Sequence, residues 1–361
     1  MFSLRSLRLP SQRSFGDPRA KAGTLRFWFT HMNRLVNADR GDAGRRLDLV
    51  LRRHLADVDD ATRTRVQTWI ANGLVTVNGS TVRRVAARAA FGDRIAVQLA
   101  EPAPRTAMAA EDIALEVLYE DDCLLAVNKR AGVVVHPAFT HAAGTLMNAL
   151  LGRARSWPAG QRPSIVGRLD KLTSGVVIVA RSAQAHAKLQ RALSATPAST
   201  HGEKDYLAVV YGHVKARRGT IDLRLGHDRN DRRRIVASTT AGAASLTRFE
   251  RVAHVAAPRV GLSLLRCRLV TGRRHQIRVH LAARGWPIVG DPAYGEAGWS
   301  KVADGALAEA LRAFPRQALH ARRVSFLHPE TRARVVVEAP LPRDFEELLS
   351  VTGLESRSPA L

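Results

Sequence analysis

Residues 167–180 read GRLDKLTSGVVIVA. A charged turn, Arg168-Leu169-Asp170-Lys171, runs through Thr173, Ser174 and Gly175 into an unbroken apolar run, which reads as a strand. Outward from it, between Ile113 and about Thr352, short β-branched runs recur: DCLLAVNK, GVVVHP, DYLAVVYG, GTIDLRL, SLTRFERV, LSLLRCRLV, RVSFLHP and RARVVVEAP. Helical stretches intervene at TLMNALLGRA, QAHAKLQRAL, RHQIRVHLAARG and RDFEELLSV. Strands mostly follow strands. The order predicts an α+β fold with a mixed, largely antiparallel sheet and flanking helices rather than a doubly wound one.

Upstream, residues 41–100 read as a small separate unit. Leu47, Val50, Leu51 and Leu55 recur at helical spacing in RRLDLVLRRHL. ATRTRVQTWIANG predicts a second helix, with Asp60 or Thr62 at its N-cap, Val66 and Ile70 inward, and Gly73 closing it. LVTVNGSTV then alternates about Asn78-Gly79, a strong hairpin signal because both residues tolerate positive φ. FGDRIAVQL adds a strand, completing an αα-β module. Its helices carry Arg45, Arg46, Arg52, Arg53, Arg63 and Arg65, which would form a basic face. Residues 101–112, EPAPRTAMAAED, have no periodicity and read as a linker, and 353–361 as a tail. The Arg- and Ser-rich residues 1–40 are left outside the fold. A presequence, a disordered basic tail and a start at Met32 remain open for them.

The chain's 361 residues carry 56 Lys and Arg against 32 Asp and Glu, a net charge of +24. With only 7 lysines the excess is almost all arginine, and a polyanionic partner follows from it, because Lys and Arg release counterions when they neutralise phosphates. No apolar run approaches the ~20 residues that span a bilayer. Two cysteines, Cys123 and Cys267, make neither a disulfide framework nor paired metal-ligand spacing, so a reducing compartment is expected.

Three stretches could carry chemistry. In 167–180 a carboxylate, Asp170, stands among cations, and such a carboxylate is kept ionised, as a nucleophile must be. In TGRRHQIRVHL (271–281), Arg273, Arg274, His275, Arg278 and His280 crowd a helix start, which suits a phosphate or carboxylate. His275 and His280 are five apart, off the i, i+4 spacing of helical zinc ligands, and no HExxH occurs, so no metal is expected. In KDYLAVVYG (204–212), Tyr206, Ala208 and Val210 share one strand face.

These motifs stand in one order: GRLDKLTSG, KDYLAVVYG, TGRRHQIRVHLAARGWPIVGDPAYG and ALHARRVSFLHPETR, with VNKRAGVVVHPA and GTLMNALL upstream. The series resembles the pseudouridine synthases of the large-subunit ribosomal RNA type over 113–352, and residues 41–100 resemble the S-four-like RNA-binding domain that often precedes them. The resemblance implies an isomerase that flips a uridine out of ribosomal RNA and converts it to pseudouridine without a cofactor. It further implies a cytoplasmic, monomeric enzyme with no membrane association. Carried over by position, the nucleophilic aspartate is Asp170, the active-site tyrosine Tyr206 and the arginine paired with the aspartate Arg278. Arg168 matches a residue that holds the RNA once the base is out, and Arg273 and His275 are expected to touch RNA with it. Two positions depart from the pattern: Gly167 replaces a usual His, and Arg130 a usual Pro.

Two other classes compete. A catalytically silent ribosome-assembly factor would use the basic face alone and leave Asp170, Tyr206 and Arg278 free to vary. The other is a glycoside hydrolase or nucleobase glycosylase; a hydrolase of the usual sort needs paired carboxylates, and Asp170 has no acidic neighbour in its motif.

Overall fold

The structure is a computed structural model that describes residues 32–58, 61–99, 108–137, 143–193, 202–228, 230–231, 234–256, 261–295 and 298–355. The chain divides into two compact units, Met1–Thr106 and Ala107–Leu361.

In the first unit, β1 (Met32–Asn37), α1 (Leu47–His54), α2 (Arg63–Ala71), β2 (Val75–Val77), β3 (Ser80–Thr81) and β4 (Arg94–Leu99) follow in order. The expected helices form. Thr62 caps α2 by accepting the Arg65 N–H, and Gly73 leaves it at φ +78. Asn78 and Gly79, at φ 51 and 83, make the tight β2–β3 turn. The sheet runs β1-β4-β2-β3. That order corrects the boundary drawn at residue 41, because MNRLVN pairs antiparallel with β4 from Met32↔Leu99 to Asn37↔Arg94. The strand escaped notice because it is an edge: Val36 is buried but Leu35 is exposed. Residues 1–31 of the 1–40 tail lie outside the described residues, as do residue 100, 101–107 of the linker and 356–361 of the C-terminal tail.

The second unit opens with β5 (Val117–Glu120), β6 (Leu124–Lys129), α3 (Leu146–Arg153), β7 (Ser164–Val166), β8 (Ser174–Ala180) and α4 (Ala183–Leu193). It continues through β9 (Glu203–Tyr211), β10 (Arg218–Asp222), β11 (Arg224–His227), β12 (Ile235–Ser238), β13 (Leu246–Val255) and β14 (Leu262–Leu269). It ends with α5 (Gln276–Ala283), α6 (Gly305–Ala313), β15 (Leu319–Leu327), β16 (Arg334–Glu338) and α7 (Arg343–Thr352). The main sheet runs β10-β13-β14-β9-β15-β8-β6-β5, with β16 on β15 and β7 on β8, and is mixed through one parallel pair, β15 with β8. The α+β expectation holds. The run GVVVHP, read as a strand, is instead a loop whose carbonyls at Val134 and Val135 accept the N–H groups of Leu146 and Met147 at the start of α3.

The sheet has two differently covered faces. One packs Leu125, Val127, Val177 and Tyr206 against α3, α5 and α7 through Leu150, Ile277 and Phe345. Behind β6 and β8, α4 lays Ala185, Leu189 and Leu193 on Leu124, Ala126 and Ile178. Each fully buried aliphatic side chain contributes about 1.5–3 kcal/mol.

The parallel β8–β15 pairing brings the 167–180 stretch to the middle of the sheet. Gly175 is required there. Its φ is +112, and a Cβ would lie 2.2 Å from the Ala321 carbonyl oxygen. Beside it, Ser174 Oγ meets His320 Nδ1 at 2.9 Å. Burial drives the His320 pKa down to about 4. A histidine that is neutral when folded and ordinary when unfolded stabilises fully above pH ~6.5 and progressively less as pH falls towards its folded value. Between pH 7 and pH 5 the site is expected to cost about 2 kcal/mol of stability. Urea unfolding at the two pH values checks this, with His320→Asn expected to flatten the dependence.

Candidate active site

Asp170 sits at the end of the charged turn before β8, and Thr173 N–H donates back to its carbonyl at 3.0 Å. Four side chains from elsewhere pin this turn. Gln317 Nε2 donates to Thr173 Oγ1 (3.0 Å), Arg316 Nη1 to Leu172 O (3.4 Å), and His320 holds Ser174. The fourth is Lys129 at the end of β6, only 2% exposed, whose Nζ donates to the carbonyls of Arg130, Val133 and Lys171, each at 3.0 Å. It ties the opening loop to the Asp170 turn. Burial lowers its pKa to about 7, opposed by the charge of Asp170 and by three carbonyls that call for three N–H donors. Lys129→Met strands those carbonyls and is expected to cost on the order of 2–3 kcal/mol, read as a lower urea midpoint at unchanged m-value.

Arg278, on the first turn of α5, reaches Asp170 with Nη1 at 2.8 Å from Oδ2. Its other edge makes a fork onto Asp291, Nε to Oδ2 at 2.7 Å and Nη2 to Oδ1 at 2.8 Å. Asp291 also accepts the N–H groups of Ala293 and Tyr294, and the Tyr294 ring lies 5.0 Å from the guanidinium carbon. Burial alone would lower the pKa of Arg278, but the hydrogen bonds and charges of Asp291 and Asp170 hold it above its ordinary value. Burial alone would raise the Asp291 carboxyl, and Arg278 with the two backbone donors holds it down. The guanidinium is therefore a permanently charged, doubly anchored partner for Asp170.

His275 precedes α5 in the left-handed region, φ 56. That conformation turns its Nδ1 to Tyr294 Oη at 2.8 Å and its Nε2 to 3.9 Å from Asp170 Oδ1. Burial lowers its pKa, with Asp170 opposing. Tyr206 closes the pocket from β9. It is 8% exposed, and burial, reinforced by the charge of Asp170, raises its pKa, so the ring is a neutral phenol at physiological pH. Asp170, Tyr206, Arg278, Arg168, Arg273 and His275 line one cavity of ≈ 50 Å³.

The expected trio thus converges from three stretches, its outer members Asp170 and Arg278 lying 108 residues apart. Arg168 and Arg273 are exposed at the mouth. Gly167 takes φ +87, which glycine adopts without strain, and the side chain of Arg130 is exposed, so both departures fit the backbone. The arginines of the first unit divide. Arg46 binds the buried Asp48 through Nε at 2.9 Å, with Arg63 at 3.8 Å from it, and Arg53 bridges Asp39 and the buried Asp42. These hold the fold together. Arg45 and Arg52 are exposed, and Arg65 is half-buried. Sequence reading missed Asp291 and Tyr294 as anchors of Arg278. The signal available was the turn GDPAYG, whose Gly290 has φ +69 and would place a Cβ 2.1 Å from Arg316 O.

The RNA pseudouridylate synthase family description matches residues 123–283, which contain Asp170, Tyr206 and Arg278. An uncharacterized RNA pseudouridine synthase, YlyB of Bacillus subtilis, is 38% identical over 322 residues, covering 88% of this chain and 98% of that protein. Ribosomal large subunit pseudouridine synthase D of Xanthomonas campestris is 42% identical, covering 87% of this chain and 91% of that one. Among solved structures, human RNA pseudouridylate synthase domain containing 1 aligns at TM-score 0.50 and 26% identity, over 67% of this chain and 89% of that one. The chain belongs to the RNA pseudouridine synthase family. It is an isomerase that acts on RNA. Among the described residues no helix is long and apolar enough to cross a membrane.

Proposed function

We propose that the substrate is large-subunit ribosomal RNA and that Asp170, Tyr206 and Arg278 carry the reaction. The observation behind the catalytic assignment is the Asp170–Arg278 ion pair in a pocket whose cation is itself fixed by Asp291. Isomerisation breaks the bond from uracil N1 to ribose C1′, turns the base and joins C5 to C1′; C5 gives up its proton to solvent and N1 takes one up, so the product is an isomer of the substrate. Asp170 supplies the carboxylate for bond cleavage, Arg278 pairs with it and fixes its orientation, and the Tyr206 ring offers a face for the flipped base. Extracting that base from its stack costs a few kcal/mol, offset by stacking and by cations at the mouth, Arg168, Arg273 and His275 among them. Support for the ribosomal substrate comes from relatives named for the large subunit. All three residues come from one chain, as a monomer requires, and the free, buried Cys123 and Cys267 suit the reducing cytoplasm.

Tritium release from C5-labelled uridine tests the substrate. Transcribed large-subunit RNA is expected to release tritium in whole-number stoichiometry. Release from transfer RNA with none from ribosomal RNA would refute the assignment.

We read the first unit as an S-four-like RNA-binding module, with Arg45 and Arg52 on its outer surface. Residues 41–100 hold ten arginines and six aspartates. A tethered second site raises effective concentration without touching the chemistry. A chain starting near Ala110 is therefore expected to react but to bind structured ribosomal RNA more weakly. Its salt slope should be shallower by nearly one for each phosphate that the shorter chain no longer neutralises. Titrations at several salt concentrations decide it, and identical slopes for the two chains would count against an RNA-binding module.

A further inference from the structure

The register of the sheet places a second charged feature behind the catalytic pocket. Cys267 stands opposite Tyr206 and Phe249 opposite Cys267, on the pocket's side of β9, β14 and β13. Their neighbours alternate to the other side: Arg268 stands opposite Asp205, and Arg248 opposite Arg268. Two rungs on, Arg266 stands opposite Glu250, and Arg218 on β10 also stands opposite Glu250. These residues line a cleft of ≈ 540 Å³ with Thr220 on the edge strand β10. It is tenfold roomier than the catalytic cavity and shares no residue with it.

The charges in the cleft do not balance. Arg268 is matched by Asp205 and Glu203, with N–O distances of 2.8 Å to each. Arg218 and Arg266 both draw on Glu250, at 2.8 and 3.8 Å. The side chain of Arg248 is exposed and makes no ion pair or hydrogen bond with another described residue. It stands opposite Arg268 on the ladder, but Asp205 and Glu203 are both taken up by Arg268, so Arg248 is the guanidinium left without a carboxylate. The four arginines are met by three carboxylates, Asp205, Glu203 and Glu250, which leaves the cleft one positive charge in excess on a chain already at +24. The spacing suits a polyanion: neighbouring strands lie ~4.8 Å apart and same-face residues ~6.8 Å along each strand.

We propose that this reverse-face cleft binds the phosphodiester backbone of the RNA substrate, with Arg248 and Arg218 as its main phosphate ligands, so that a large RNA is gripped on both faces of the sheet. The proposal rests on the ribosomal reading above for its choice of RNA. Guanidinium forks on a rigid sheet fix register without reading sequence.

The test uses the full chain, a transcribed large-subunit RNA domain and a short stem-loop bearing only the target. Arg218→Gln/Arg248→Gln is expected to bind the domain about tenfold more weakly, with a log–log salt slope reduced by about 0.7–0.9 for each phosphate left without its guanidinium. Its turnover of the stem-loop should stay within twofold of wild type. Thr220→Glu, which removes no ion pair and adds a negative charge to the cleft, is expected to give the same pattern and covers a double variant that folds poorly. Unchanged affinity and slope in both variants would overturn the proposal. So would a loss seen only with a protein-containing ribosomal particle, which would assign the cleft to a protein. Failure of the wild type to modify the RNA domain would instead refute the ribosomal reading.

Discussion

Asp170→Asn is expected to fold, to bind RNA with nearly wild-type affinity, and to release tritium from C5-labelled uridine at least ~100-fold more slowly than wild type. The amide keeps the shape of the carboxylate and can still sit beside Arg278 Nη1, now 2.8 Å from Oδ2. It cannot act as nucleophile or base. The turn is held by groups that do not touch this carboxylate, Lys129 on the Lys171 carbonyl and Gln317 on Thr173 among them, so the loss is chemical rather than structural. Residual turnover above about one per cent would remove Asp170 from the centre of the reaction.

The second large effect belongs to Arg278. Arg278→Ala is expected to abolish turnover and also to destabilise the chain by about 3–5 kcal/mol, because it leaves Asp291 buried and uncompensated. Arg278→Lys keeps the charge but gives up the fork onto Asp291, and is expected to retain part of the activity. Arg278→Ala/Asp291→Asn separates the two roles. Removing the stranded carboxylate should recover much of the stability and none of the activity, measured by urea unfolding beside tritium release. Equal, mild losses from Arg278→Ala and Arg278→Lys would reduce Arg278 to a phosphate ligand.

Much of this arrangement was legible in the chain because several motifs carry their meaning locally. The helix spacing of Leu47, Val50 and Leu51 and the Asn78-Gly79 turn act within a few residues and fold as read, and of the two candidate caps of α2, Asp60 and Thr62, it is Thr62 that caps the helix. The resemblance carried by the ordered series implied Asp170, Tyr206 and Arg278 as a trio, which their own spacing did not single out, and the fold brings the three into one pocket. What escaped depends on partners distant in sequence. Asp291 and Tyr294 matter only once the turn after α5 folds back on Arg278. The basic face read into α1 and α2 is thinner than its arginine count, because Asp42 and Asp48 are drawn beneath Arg53 and Arg46. GVVVHP has strand composition, but its carbonyls are claimed by the start of α3. Among the described side chains of β1 only Val36, next to the strand's end, is buried, too little alternation to announce the strand.

The central claim, that this chain makes pseudouridine in large-subunit ribosomal RNA through Asp170, is tested most directly by mapping pseudouridines in that RNA chemically. The map would be taken from cells lacking the gene and from the same cells carrying wild type or Asp170→Asn. One or more sites should vanish on deletion, return in full with wild type and stay absent with the variant. A map unchanged by deletion, or restored by Asp170→Asn, would contradict the account.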